Sequence, residues 1–256
     1  MVIFVDFRLM TEILQNILPY DISLKRPLPG VAPLEPKDWL IVDGAYNLQM
    51  EERERILKEF KEKVVAQDPI ANESADELLI EVLSFLTHKK EYQVFEEKIK
   101  RPDSKVIKID FSKPLETLGK VVQNDFCILQ KINGEHILTA AILCFPASWS
   151  LEEKFMRNLS TIHEPVESYD KNIESRVQRL FDGLQLHRPL WRFNVLEYEY
   201  PDLFQPRTVK ERQWRKNTKN FRYIRSERQT FLRLPKTGAI AFSIHTSVLE
   251  KSKIGC

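Results

Sequence analysis

The sequence predicts an α+β domain built on a mainly antiparallel sheet of about five strands. Three observations predict it. Asn133-Gly134 separates two β-rich runs, and the tight turn between them needs positive φ at both central residues, which this pair tolerates. Phe221–Pro235 and Ala239–Leu249 alternate with period two and are joined by the short Pro235–Gly238 link, a second hairpin signal. Between residues 44 and 90 the apolar residues recur at helical spacing instead.

Taken in order, Pro19, Pro27, Pro29, Gly30, Pro33 and Pro36 make residues 19–38 a loop. Trp39 to Asp43 reads as a short strand or turn. Ile56, Leu57, Phe60 and Val64 mark a first helix, ended at Asp68-Pro69. Ser74-Ala75-Asp76-Glu77 matches a capping box and opens a second, with Leu78, Leu79, Val82, Leu83 and Leu86 as its buried face. Residues 1–103 are thus expected as an N-terminal loop and helical segment, packed on a core domain of residues 104–256.

Val106, Ile107 and Ile109 suggest a strand, and Leu115–Val121 a short helix. Phe126–Lys131 and His136–Phe145 flank the Asn-Gly turn. The second of these runs is nearly all apolar, which places it centrally in the sheet, covered on both faces. Ser150-Leu151-Glu152-Glu153 is a second capping-box pattern. Tyr169, Ile173, Val177, Leu180, Phe181 and Leu184 form one stripe of an amphipathic helix, and Trp191–Tyr200 reads as a strand.

The bulk numbers exclude several classes. With 43% hydrophobic and 30% charged residues the balance is that of a globular domain, and a net charge of +2 implies no polyanion partner by itself. Cys127, Cys144 and Cys256 form no C-x-x-C pair, and an odd count gives no disulfide framework, so reduced thiols in a cytoplasmic setting are expected. No apolar run approaches the ~18 residues that span a bilayer. No glycine-rich nucleotide loop, G-x-S-x-G elbow or H-E-x-x-H is present.

Three features carry chemistry. None of the five histidines has a partner at metal-ligand spacing, and a lone histidine is commonly a surface or core residue. His163 differs in its setting, Ile162-His163-Glu164-Pro165-Val166, a loop before an amphipathic helix, since one proximal histidine suffices to hold a haem iron. Glu227 shares a strand face with Arg225, Gln229 and Arg233. That pattern fits a proton relay, though it fits a cross-strand salt bridge better. Residues 207–228 hold nine basic residues against two acids. A solvated charge run is the common reading. Trp214, Phe221 and Tyr223 interleave with the cations as in a nucleic-acid surface. An anionic cofactor would also want such arginines, with Arg188 and Arg192 beside Trp191 adding to its site.

Four segments resemble the haem-dependent oxidative N-demethylase-like family of the alpha-subunit type. They are Gly30–Gln49 with Trp39, Asp43 and Tyr46; Val122–Gln130 through Ala140–Trp149; the His163 loop with Tyr169; and Arg188–Asn194 joined by Arg225-Ser226-Glu227-Arg228-Gln229-Thr230 and Leu234-Pro235-Lys236-Thr237-Gly238-Ala239. The resemblance implies a PAS-like fold and a bound haem. It implies oxidative removal of a methyl group from a small amine such as dimethylamine, with release of formaldehyde. Electrons would come from NADPH through a flavin-containing reductase partner. By position, His163 becomes the axial ligand, and Glu227 and Arg225 the catalytic acid/base and charge. Arg228, Arg192, Trp191 and Tyr169 become cofactor-binding candidates. An Arg or Lys would be expected where His245 stands. A PAS-like sensor without turnover and a nucleic-acid-binding protein are the alternative readings, the last disfavoured.

Overall fold

The computed structural model describes residues 12–24, 30–163, 171–208, 211 and 221–253. Along them run β1 (Ala32–Pro33), α1 (Tyr46–Glu59), α2 (Lys61–Val64), β2 (Val65–Gln67), α3 (Asn72–Leu86), β3 (Gln93–Val94), β4 (Lys98–Lys100), β5 (Val106–Lys108), α4 (Pro114–Val121), β6 (Asp125–Ile132), β7 (Glu135–Ile142), α5 (Leu151–Lys154), α6 (Leu159–His163), α7 (Lys171–Gly183), β8 (Leu190–Tyr198), β9 (Tyr223–Arg233) and β10 (Ile240–Glu250).

The main sheet has the order β1-β8-β9-β10-β6-β7-β2, and all its pairings are antiparallel. Its five long strands are those the sequence predicts. The count of five is nevertheless corrected to seven, because Ala32–Pro33 pairs with Leu190–Trp191 at one edge and Val65–Gln67 with Ala140–Ile142 at the other. The strand expected near Val106–Ile109 lies in a separate three-stranded sheet with β3 and β4. The Asn133-Gly134 turn forms with φ of 52° and 89°, closing the β6–β7 hairpin. The β7 strand is not central: only β2 lies outside it, and β10 is the middle strand.

Strand alternation divides the core in two. Phe126, Ile128, Ala140, Ile142 and Ala241 turn to one face, where Met50, Ile56, Leu78, Leu79, Val82 and Leu118 of α1, α3 and α4 cover them. Cys127, Leu129, Ala141, Phe231, Ile240 and Ile244 turn to the other, under Leu151, Leu159, Phe181 and Leu184. The first core joins residues from Leu34 to Val248, on both sides of position 103.

The Ser74–Glu77 capping box does not form. The helix begins two residues earlier, at Asn72, and Ser74 is buried. The Glu77 carboxylate reaches instead across to the β9–β10 turn, accepting from the Lys236 N–H, the Thr237 N–H and the Thr237 hydroxyl. Ser150 does precede α5, without a side-chain cap bond.

Candidate active site

A cavity of about 180 Å³ lies between the second sheet face and helices α5–α7. Leu129, Leu138, Leu159, Ile162, Val177, Leu180, Phe181, Phe231, Phe242 and Ile244 make it largely apolar. Among the described residues its polar lining is His163, Glu227, Gln229, Arg192, Lys154 and the Cys127 thiol. His163 and Glu227, 64 positions apart in the chain, therefore face one space.

Helix α6 brings His163 there, and local bonds fix α6. Residues 156–158 pair with the backbone of β7: the Met156 N–H donates to the Leu138 carbonyl at 2.9 Å and the Leu138 N–H to the Arg157 carbonyl at 3.0 Å. The Asn158 side chain then caps the helix, accepting from the Thr161 N–H at 2.9 Å, and donates to Glu135 at 2.9 Å. At the other end of α6, His163 Nδ1 lies 2.8 Å from the Leu159 carbonyl. A carbonyl only accepts, so Nδ1 carries the proton and Nε2 holds the ring's lone pair. Burial pulls the imidazole pKa down to about 4, and the nearby Lys154 and Arg192 charges act in the same direction. The ring is neutral at pH 7.

Glu227 sits on β9 opposite Asn194 of β8 and Thr246 of β10. Its Oε2 accepts from Asn194 Nδ2 at 2.9 Å and from Gln229 Nε2 at 3.2 Å. The Glu227 backbone N–H returns a bond to Asn194 Oδ1 at 3.0 Å. Arg225 shares this face, two residues along: its Nε stands 3.7 Å from Glu227 Oε1, while its other nitrogens donate to the Leu203 and Phe145 carbonyls. Arg192 Nε is buried without a hydrogen-bond partner, and burial lowers the guanidinium pKa.

These residues fit a haem in their donor set. A neutral histidine with Nδ1 bonded to a carbonyl is the usual form of an axial ligand. The apolar walls suit a macrocycle, and Arg192 and Lys154 suit its two carboxylates. Among the described residues no cluster of three or more metal-ligating side chains occurs, and a haem needs none. The volume is below the ~300–1,000 Å³ of typical ligand pockets.

Alternation separates the remaining candidates. Arg228 and Trp191 lie on the opposite sheet face and do not line this cavity. Arg228 donates to the Asp38 and Trp39 carbonyls and stacks over the Trp191 ring at 5.5 Å. Trp191 leans on Tyr20, 5.6 Å between ring centroids. Both residues therefore anchor the N-terminal segment. Tyr169 lies outside the described residues, as do Lys210, Arg212, Trp214, Arg215, Lys216 and Lys219. Arg225 and Arg228 are buried and bonded to carbonyls, so neither belongs to a solvated basic surface. Among the described residues no helix is long and apolar enough to cross a membrane.

Sequence reasoning missed Asn194 and Thr246, which only the register of three strands places beside Glu227. It also missed a buried polar node on the opposite face. The Asp43 carboxylate accepts from Gln15 Nε2, the Ala45 N–H, Gln123 Nε2 and His245 Nε2, at 3.0, 2.9, 2.9 and 2.9 Å. Burial raises the Asp43 pKa, and the His245 bond and charge with the amide bonds outweigh it, leaving a value of about 2. His245 thus supplies a donor to a carboxylate, which an Arg or Lys could also do. The family of haem-dependent oxidative N-demethylase, alpha subunit-like proteins matches residues 30–255, nearly the whole sequence, and this chain belongs to that family.

Proposed function

We propose that this chain is a haem-dependent oxidoreductase that removes a methyl group from a small secondary amine of the dimethylamine type. The observation that carries the reading is the convergence of His163 and Glu227 on one apolar cavity. His163 would hold the iron through Nε2. Arg192 and Lys154 would bind the carboxylates. When bound, the haem supplies O₂ activation. The overall balance is one amine, O₂, two electrons and two protons giving the demethylated amine, formaldehyde and water.

The protein's own residues do the rest. The apolar walls exclude water and leave room for methyl groups. Among the described residues Glu227 is the one carboxylate lining the cavity, so it attracts the ammonium form of the substrate and takes its proton. Asn194 and Gln229 hold that carboxylate in place. The electrons would come from NADPH through a flavin-containing reductase partner, in keeping with the alpha-subunit character of the family. The five long strands stand in the order 2-1-5-4-3 when numbered along the chain, which supports a PAS-like core within the larger sheet. A cytoplasmic location suits the thiols Cys127 and Cys144, both buried and unpaired.

The test is formaldehyde release from dimethylamine by the haem-loaded protein with a flavin-dependent reductase and NADPH. Stoichiometric formaldehyde, lost in Glu227→Gln, is expected. Haem binding without formaldehyde from any small methylamine would leave a sensor in its place.

A further inference from the structure

The side of Glu227 away from Asn194 holds buried polar capacity that no described residue uses. Arg225 is 1% exposed, and its Nε has no hydrogen-bond partner although its other two nitrogens are occupied by carbonyls. Thr246 is also 1% exposed, and its Oγ1 is equally unpartnered. Thr246 stands directly across from Glu227 in the β9–β10 register, and Arg225 two residues before it on the same strand, so all three side chains share one sheet face. Arg225 Nε and Glu227 Oε1 are 3.7 Å apart, too far for a direct bond and close enough for one molecule to touch both. A donor, a hydroxyl and a carboxylate oxygen meet the two to four polar partners that a buried water requires.

We propose that Arg225 Nε, Thr246 Oγ1 and Glu227 Oε1 bind a single ordered water, and that Glu227 exchanges its proton with the cavity through it. The inference rests on the reading of Glu227 as the group that handles the substrate's proton. The geometry divides the labour at this carboxylate. Oε2 is tied to Asn194 and Gln229, which fixes its orientation. Oε1 faces the water. A proton leaving the substrate ammonium enters the water as another leaves it for Oε1, so the water is unchanged and the carboxylate becomes a carboxylic acid. Arg225 presents only N–H donors, so it serves to orient the water oxygen. Thr246 can both accept and donate, which lets it follow the water as its protons shift. Among the described residues, Arg192, Lys154 and His163 are the other basic groups around the cavity, with the Cys127 thiol beside them.

The test joins a structure with kinetics on the full chain. Thr246→Val keeps the shape of the side chain and removes the hydroxyl, while Thr246→Ser keeps the hydroxyl. A high-resolution crystal structure of the haem-free protein should show one water within hydrogen-bond distance of all three atoms. It should be retained in Thr246→Ser and lost in Thr246→Val. With haem and reductase supplied, Thr246→Val should lower kcat roughly three- to tenfold, the worth of one net hydrogen bond, with KM little changed and Thr246→Ser near wild type. A direct Arg225–Glu227 bond with no water would overturn the proposal. So would unchanged kcat in Thr246→Val while Glu227→Gln is inactive, an outcome that leaves the role of Glu227 standing. Full activity in Glu227→Gln would remove both.

Discussion

Asn194 grips Glu227 at two points across the β8–β9 pair, donating from Nδ2 to the carboxylate and accepting at Oδ1 from the backbone N–H of the same residue. One amide therefore ties the aim of the acid to the backbone of its own strand. Replacing Asn194 with Leu keeps the volume and removes both bonds. Misplacing a reacting group by about an ångström can cost ~100-fold in rate. Asn194→Leu should lower kcat by ten- to a hundredfold with KM less affected, and Asn194→Gln should recover part of it. Steady-state kinetics on dimethylamine reads this directly.

Two arginines that look alike in the sequence should behave differently. Arg192 lines the cavity with an unpartnered nitrogen, so Arg192→Ala should weaken haem affinity about tenfold and leave stability nearly unchanged. Arg228 bonds to two carbonyls on the opposite face, so Arg228→Ala should cost ~2 kcal/mol in urea unfolding and leave haem affinity alone. Haem titration and denaturation of both variants check the pair.

How much of this was legible in the sequence depends on the length scale. Period-two alternation and the Asn-Gly turn mark four of the five long strands, β6, β7, β9 and β10, because both are local. Alternation also puts Arg228 out of phase with Glu227, as found. The edge strands were not legible: Ala32–Pro33 and Val65–Gln67 are too short to carry a period, and only their partners make them strands. Glu77 looked like half of a capping box because its bond to the β9–β10 turn is non-local, 160 positions away from Thr237. The site divides the same way. His163 and Glu227 stand out by their local sequence setting and take their roles from family resemblance, while Asn194 and Thr246 needed the observed register.

Asp43 predicts acid behaviour. Its folded-state pKa of about 2 lies below the ordinary carboxylate value near 3.8. The unfolded chain therefore takes up a proton first as pH falls. The stabilisation is complete above about pH 4 and is lost between there and pH 2. Asp43→Ala leaves four N–H donors without their acceptor and should cost about 3 kcal/mol at pH 7, a penalty that shrinks below pH 4. Urea unfolding at pH 7 and pH 3 measures the difference.

His163 predicts a second pH dependence in the haem-free protein. Its folded pKa of about 4 lies below the ordinary histidine value of 6.5, so between these values the unfolded state binds the extra proton. Stability is full above pH 6.5 and falls as pH drops toward 4. His163→Phe should remove that slope. Thermal unfolding midpoints across pH 4.5 to 7.5 show it as a flattened profile.

The proposed haem site depends on His163, which would hold the iron in the cavity it shares with Glu227. The direct measurement is the visible absorption spectrum of the protein reconstituted with haem, beside that of His163→Ala. An intense Soret band is expected in the first and a shifted or much weakened band in the second. No Soret band, or one that His163→Ala leaves unchanged, would contradict it.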